Sequence, residues 1–457
     1  MTNKQEEKFR LMTEAPIGRL IFSLGAPCIV SMLVTAFYNM ADTFFVGMLK
    51  SNAATGAVGV VFSMMAMIQA VGFFFGHGSG NYISCELGKK NYGEAEKMAA
   101  TGLFSAAAAG VLIFVFGELF LEELAYALGS TDTILPYAKE YLGAILAGAP
   151  WVIASLVLNN LLRFQGSAFY AMIGITSGAL LNIALDPLLI FKFNMGVAGA
   201  GYATVISQLV SFGILLVGYV RSGNAPIRFR NIQFGWYYYK MIVKGGFPSL
   251  VRQGLASVAT IAVNHAAGPF GDAAIAAMGV VQRITMFGSS AMIGFGQGFQ
   301  PFCGFNYGAG LYKRVKDGFY FCVKTSFVFL VAVSALGFVF APELIAVFRN
   351  DPEVIEIGSG ALRWQCVTFF TLSWVVISNM MVQVMGKTVP ATFLASARQG
   401  IFFIPIVLIL SSALGVFGIQ IAQSVSDVIT LACAIPIQLV IMKNMKNSDS
   451  NTKKEDA

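Results

Sequence analysis

Long runs of apolar residues alternate along the chain with short polar breaks. A bilayer-spanning helix takes roughly 20 mostly apolar residues. Runs of that kind lie near 17–47, 53–77, 98–117, 136–160, 167–191, 197–220, 240–266, 273–300, 318–340, 357–385, 388–411 and 415–441. The pattern predicts an all-α membrane protein with twelve transmembrane helices and little chain left for a soluble domain. Residues 1–16 are polar and mixed in charge, and the run behind them is too long for a removable leader, so the first span is expected to be retained.

Composition sharpens this reading. Of 457 residues, 56% are hydrophobic and only 12% charged, against roughly a quarter charged in soluble domains. Six scattered cysteines and two histidines make neither a disulfide framework nor a structural zinc site. No nucleotide-binding loop or hydrolase motif occurs. The chain is therefore expected to be no enzyme, to use no cofactor and to draw nothing from ATP of its own.

Lysines and arginines in short loops favour the cytoplasmic side. With the N-terminus inside, nearly all of them fall there, Arg163 among them, and only Lys50, Lys139, Lys192 and Arg349 fall outside. Both termini are expected to be cytoplasmic, in a bacterial plasma membrane. The net charge of +7 is largely this bias, so no nucleic-acid partner is implied.

The chain also matches itself at an offset of 220: "AATGAVGVV" at 53–61 recurs as "AAIAAMGVV" at 273–281, and Gly76, Gly78, Gly88 and Gly166 recur as Gly296, Gly298, Gly308 and Gly386. Two parallel, pseudo-symmetric six-helix bundles follow, related by an axis along the membrane normal, and such halves commonly rock about a shared cavity. The expected divisions are an N-lobe at 1–220, a cytoplasmic linker at 221–244, a C-lobe at 245–442 and a disordered tail at 443–457. Trp236 and Tyr237–Tyr239 suit an interfacial segment of the linker.

Against this oily background the intramembrane polar residues carry the functional expectation. Asp42 ends span one about five residues, roughly 8 Å, below its outer boundary at 1.5 Å per residue. Asp186 in "ALLNIALDPLLIF" has the same depth, Asn182 lies one turn deeper on the same face, and Thr204 descends to the same level from span six. Pro187 lacks an N–H and should free the carbonyl of Ile183 and bend its helix. An intramembrane acid costs about 2.5–3.5 kcal/mol even on permissive scales. Oxygen ligands beside a carboxylate suit a bare cation, and paired acids in an apolar layer equally suit a proton. In the other half Arg252, Arg283, Arg398 and Asp427 lie comparably deep, and one arginine is expected to pair with Asp427. The 20 Met and 40 Phe offer adaptable walls for ligands of varied shape.

The stretches "LGAPCIVSMLVTAFYNMADTFFVG" (24–47), "LLNIALDPLLIFKFNMGVAGAGYATVISQ" (180–208) and "GFGQGFQPFCGFNYGAG" (294–310) resemble the multidrug and toxic compound extrusion (MATE) family over nearly the whole chain, and within it the MepA-like members of the DinF-like branch. The resemblance implies secondary active efflux of cationic, amphipathic drugs in exchange for H⁺ or Na⁺. It implies a cation site at Asp42, Asn182, Asp186 and Thr204, the four residues that depth groups together. The seventh and tenth helices, which carry acids in the NorM-like branch, hold Arg252, Asn264 and Arg363 here and no Asp or Glu. Tyr38, Gln69 and Gln208 are candidates for the cargo cavity wall. The expected partners are small cationic or amphipathic drugs and the bilayer, around a monomer. The rival expectation is a flippase of lipid-linked oligosaccharide or another anionic lipid-like substrate, favoured by the three C-lobe arginines.

Overall fold

Each apolar run forms a helix, and several helices outrun the apolar stretch that predicts them. The structure is a computed structural model describing residues 3–49, 52–222 and 225–455; inside its helices, the side chains of residues 39, 42, 43, 47, 52, 54, 55 and 446–455 fall outside that description. A short α1 (Asn3–Glu14) precedes the N-lobe rods α2 (Ile17–Gly47), α3 (Asn52–Gly88) and α4 (Tyr92–Leu119). A brief α5 (Leu121–Ala127) leads to α6 (Leu135–Phe164), α7 (Ala168–Pro187) and α8 (Gly196–Ser222). The C-lobe comprises α9 (Trp236–Ala267), α10 (Asp272–Gly308), α11 (Tyr312–Val339), a brief α12 (Ala341–Phe348), α13 (Pro352–Thr368) continued by α14 (Leu372–Val384), α15 (Thr388–Ser396) continued by α16 (Phe403–Leu414), and α17 (Val416–Glu455). Counting the two continued pairs as one rod each, twelve membrane-length rods form two lobes of six.

Ten of these rods are long and apolar enough to cross a membrane by composition alone, and α9 and α10 are not among them. Of the polar residues that lower their hydropathy, Gln297 accepts from Arg163 of the N-lobe across the seam, while Gln282 donates to Thr260 within the C-lobe.

The internal repeat is visible in backbone detail. Gly166 and Gly386 both take left-handed φ values, +75° and +69°, where each lobe turns between its fourth and fifth rods. Asn159 donates to the carbonyl of Ala171 at 3.2 Å, and its counterpart Asn379 donates to that of Ala391 at 2.7 Å. Lys90 adopts φ 61° where the other lobe has Gly310 at φ 74°. One lobe thus tolerates a strained lysine at a turn that the other makes with the residue best suited to it.

Two expected boundaries move. Helix α9 starts at Trp236, so the connection is shorter than 221–244. It is tied down rather than free: Asn231 and Tyr238 donate to Glu96 and Glu94 at 3.2 and 2.8 Å, and Phe229 stacks on Phe104 with ring centroids 4.2 Å apart. The tail expected to be disordered continues α17 as far as Glu455, and residues 456 and 457 fall outside the described residues.

Among the described residues, the lobes meet most closely on the face that carries α1 and the start of α9. There glycines let helices approach backbone to backbone, the usual means of close packing inside a membrane. A Cβ on Gly88 would run into the main chain of Phe305, and one on Gly308 into that of Cys85, a reciprocal pair related by the repeat. On the opposite half the hydrophobic core forks. One cluster runs through the N-lobe and the joined face, while a separate cluster, including Ala259, Ala277, Val281, Ile345, Leu362 and Val407, fills only the far half of the C-lobe. The molecule is therefore a V, joined at the N-terminal face and split at the other.

Polar side chains reinforce the joined face. Arg163, in the last turn of α6, is 2% exposed, so it is not the loop cation that the charge count assumed. Its guanidinium donates across the seam to Gln297 Oε1 at 2.5 Å and Gln300 Oε1 at 3.4 Å of α10, and within its own lobe to Asn160 Oδ1 at 2.7 Å. His77 Nε2 lies 3.3 Å from the same guanidinium, and His77 Nδ1 lies 3.2 Å from the Ser249 hydroxyl of α9. Ser249 in turn accepts from Gln383 Nε2 at 2.7 Å. The terminal carbonyls of α6 favour a cation at Arg163, and amide oxygens accept from both of its terminal nitrogens without a carboxylate.

Candidate functional site

The sequence of α7 builds the layer expected to hold the ion. Asn182 and Asp186 stand one turn apart on its buried face, and Pro187 removes the next N–H that the α-helical ladder would use. The helix changes register at that point: Leu188–Lys192 forms a π-turn, closed by the Phe193 N–H donating to the Leu188 carbonyl at 3.0 Å. Such turns are common at functional sites because they widen the backbone next to a working side chain. The bend expected at Pro187 takes this form.

Asp186, Asn182 and Thr204 are 0%, 1% and 3% exposed. With its amide oriented to satisfy both neighbours, Asn182 donates to Asp186 Oδ2 at 3.1 Å and accepts from the Thr204 N–H at 3.2 Å. The Thr204 hydroxyl lies 3.3 Å from the same end of the amide. The structure thus joins three of the four residues of the expected cation site in one hydrogen-bonded group between α7 and α8. The side chain of the fourth, Asp42, falls outside the described residues.

Asn182 and Thr204 of this group line a cavity of about 120 Å³ walled by α2, α3, α6, α7, α8 and α10; Asp186 is not on its surface. Tyr38, Gln69 and Gln208, expected at the cargo wall, line it together with Asn182 and Thr204, and Arg163 and Gln297 line it as well. Its size is the decisive quantity. It has room for several waters or a small ion, well below the roughly 300–1,000 Å³ of drug-sized pockets.

The C-lobe cluster does not exist as a cluster. Arg398 pairs with Asp427 (Nε to Oδ1, 2.9 Å), where Gln423 also donates to Oδ1 at 2.8 Å. Arg252 turns inward and donates to Asn379 Oδ1 at 3.4 Å. Arg283 is exposed, further along α10. Helical spacing separates them: three cations at similar depth on three rods need not share a face, and depth counting has no information about rotation. The expected partner of Asp427 is thereby identified as Arg398. Removing one member of a buried pair leaves the other charged and unpaired. Asp427→Asn should lower unfolding stability by about 3 kcal/mol, the low end of the range because Arg398 keeps some exposure. Thermal unfolding in detergent checks this, and the double change Arg398→Met with Asp427→Leu should recover most of the loss. An unshifted midpoint in the single variant contradicts the assignment.

Sequence reasoning does not bring Arg163, His77, Ser249 and Gln383 together. Arg163 resembled one more loop cation, and its partners lie up to 137 residues away in sequence. The available signal was His77 itself: the chain has two histidines in all, and this one stands at the end of the apolar run 53–77.

Comparison with known proteins follows the same division into lobes. The MatE family model matches the chain twice, over residues 27–188 and 248–409, stretches of equal length in the two lobes. The chain is 24% identical over 440 residues, 96% of each chain, to a Staphylococcus aureus (strain MSSA476) protein named multidrug export protein MepA. It is 25% identical over 446 residues, 97% of each chain, to the protein of the same name from Staphylococcus haemolyticus (strain JCSC1435). Among solved structures it resembles a MATE crystallised in complex with MaL6, with 25% identity and a TM-score of 0.91 over 98% of this chain and 100% of that one. It also resembles a multidrug resistance MATE family transporter of the MOP superfamily in an outward-facing conformation, with 25% identity and a TM-score of 0.90 over 96% and 98% of the two chains.

Proposed function

This chain belongs to the MatE family, a multi-pass membrane transporter family with multidrug exporters among its curated members, and on that premise we propose that it is an antiporter exchanging cationic, amphipathic drugs for H⁺ or Na⁺. The observation that carries the reading is the buried Asn182–Asp186–Thr204 group, two of whose members, Asn182 and Thr204, line an ion-sized chamber. A carboxylate held there can be neutralised and released by one small cation per cycle, and the cation's own binding energy then biases which way the lobes open.

With the N-terminal face in the cytoplasm of a bacterial plasma membrane, the V opens outward. Cargo leaves from the open cleft, an external ion enters the chamber, and closure of the cleft is accompanied by opening of the joined face. Asp186 holds the ion, Asn182 and Thr204 orient it, and Asp42 is assigned to the same layer from its depth in α2. Tyr38, Gln69 and Gln208 line the ion's route. The flippase alternative loses its motive, because two of its three arginines are engaged within the C-lobe by Asn379 and Asp427.

The test imposes a pH gradient and a Na⁺ gradient separately on proteoliposomes containing the protein and follows a fluorescent cationic dye. At least one gradient should drive dye accumulation against its concentration. Movement under neither gradient refutes the antiport reading.

A further inference from the structure

We infer that Arg283, on the cleft face of α10, recognises a carboxylate or similarly compact anionic group on amphipathic cargo. This inference rests on the transport reading above and adds the part of the cargo that the C-lobe contacts.

Placement comes first. Along α10, Gly294 and Gly298 abut α2, and Phe287 meets Phe37 of α2 with ring centroids 5.3 Å apart. Residues 283, 287, 294 and 298 fall on one helical stripe, since steps of four and seven return to the same side. Arg283 therefore points toward α2, one turn beyond the Phe37–Phe287 contact that closes the bottom of the V. There the lobes have separated and Arg283 is exposed. It lies eleven residues into α10, roughly 16 Å from its start, too deep for a lipid-facing arginine to be comfortable. A water-filled cleft supplies the solvation it needs.

The two walls of the cleft differ in chemistry. On the N-lobe side, Phe37, Met40 and Phe44 of α2 are exposed, a deformable apolar surface. On the C-lobe side, Gln282 Nε2 donates to Thr260 Oγ1 at 3.0 Å, and Arg283 stands next to that pair. Among the described residues no carboxylate pairs with Arg283, whereas Arg398 has Asp427 and Arg252 has Asn379. Its planar fork of donors matches a carboxylate's two oxygens. The occupant that satisfies both walls is an amphiphile with an apolar, aromatic body and an anionic group, and a zwitterion adds the cationic part already assigned to the cargo.

A matched pair of dyes tests this. Rhodamine 110 has a free carboxylate, and rhodamine 123 is its methyl ester. Binding of each to the purified full-length protein is read by fluorescence polarisation. A charged hydrogen bond is worth enough that Arg283→Gln should weaken rhodamine 110 about tenfold or more, leave rhodamine 123 within about twofold, and abolish any preference for the acid. Arg283→Lys, which keeps the charge, should recover most of the rhodamine 110 affinity. Equal weakening of both dyes, no change in either, or failure of the unmodified protein to bind rhodamine 110 overturns the proposal. Gradient-driven export of rhodamine 123, measured in parallel, reports on the antiport reading alone, so the two can fail separately.

Discussion

Replacing Asp186 by Asn should reduce ion-driven efflux to background while leaving a folded protein. The substitution keeps the shape and an acceptor oxygen for the Asn182 amide, which now donates to Oδ2 at 3.1 Å. What it removes is the ability to alternate between charged and neutral. In a buried site that alternation is the only means by which an ion gradient can act on the lobes, because a ligand shifts a conformational equilibrium only through unequal affinity for the two states. The variant should still bind a cationic dye in the open cleft, and should lose accumulation driven by either gradient. Proteoliposomes with matched protein content make the comparison, alongside a thermal midpoint to certify folding. Full gradient-driven efflux by the variant would remove Asp186 from the coupling site.

The second large effect is expected at a residue that carries no side chain. A Cβ on Gly294 would sit 2.7 Å from Ile29 Cα and 2.8 Å from the Cys28 carbonyl, and backbone cannot yield as a side-chain tip can. Gly294→Val should therefore wedge α2 from α10 at the joined face. Overpacking typically costs about 1–3 kcal/mol, which corresponds to a roughly fivefold to 150-fold shift in population away from the closed seam. Spin-label distances across α2 and α10 on that face should lengthen, and efflux should fall to match. Gly213→Val is the control, since a Cβ at Gly213 meets nothing within 4 Å. Unchanged distances with normal efflux in Gly294→Val would show that the seam does not set the cycle.

How much of this was readable beforehand depends on the range of the interaction. The twelve rods and the repeat are local or periodic signals, and the Gly166/Gly386 and Asn159/Asn379 correspondences carry the repeat into backbone geometry. The Asn182–Asp186–Thr204 group was also legible, because helix rise converts sequence position into depth and adjacent helices share it. Rotation is not legible in that way. Arg252, Arg283 and Arg398 share a depth yet face three directions, and which faces inward depends on packing against rods that the one-dimensional pattern does not describe. The π-turn after Leu188 was foreseen only as a bend, since proline announces a broken ladder but not the register that replaces it. Arg163 was misassigned because a cation near a helix end normally belongs to a loop, and here the side chain reaches back into the seam.

Arg163 and Gln383 occupy equivalent places in the two halves, 220 residues apart, and each reaches toward the opposite half: Arg163 to Gln297 and Gln300, Gln383 through Ser249 to His77. A duplicated ancestor with arginine at both places would have set two like charges against each other across the same crossing. The neutral amide of Gln383 avoids that repulsion, and it makes the halves non-interchangeable. A chimaera built from two copies of the first half would inherit that repulsion where the present protein is held shut.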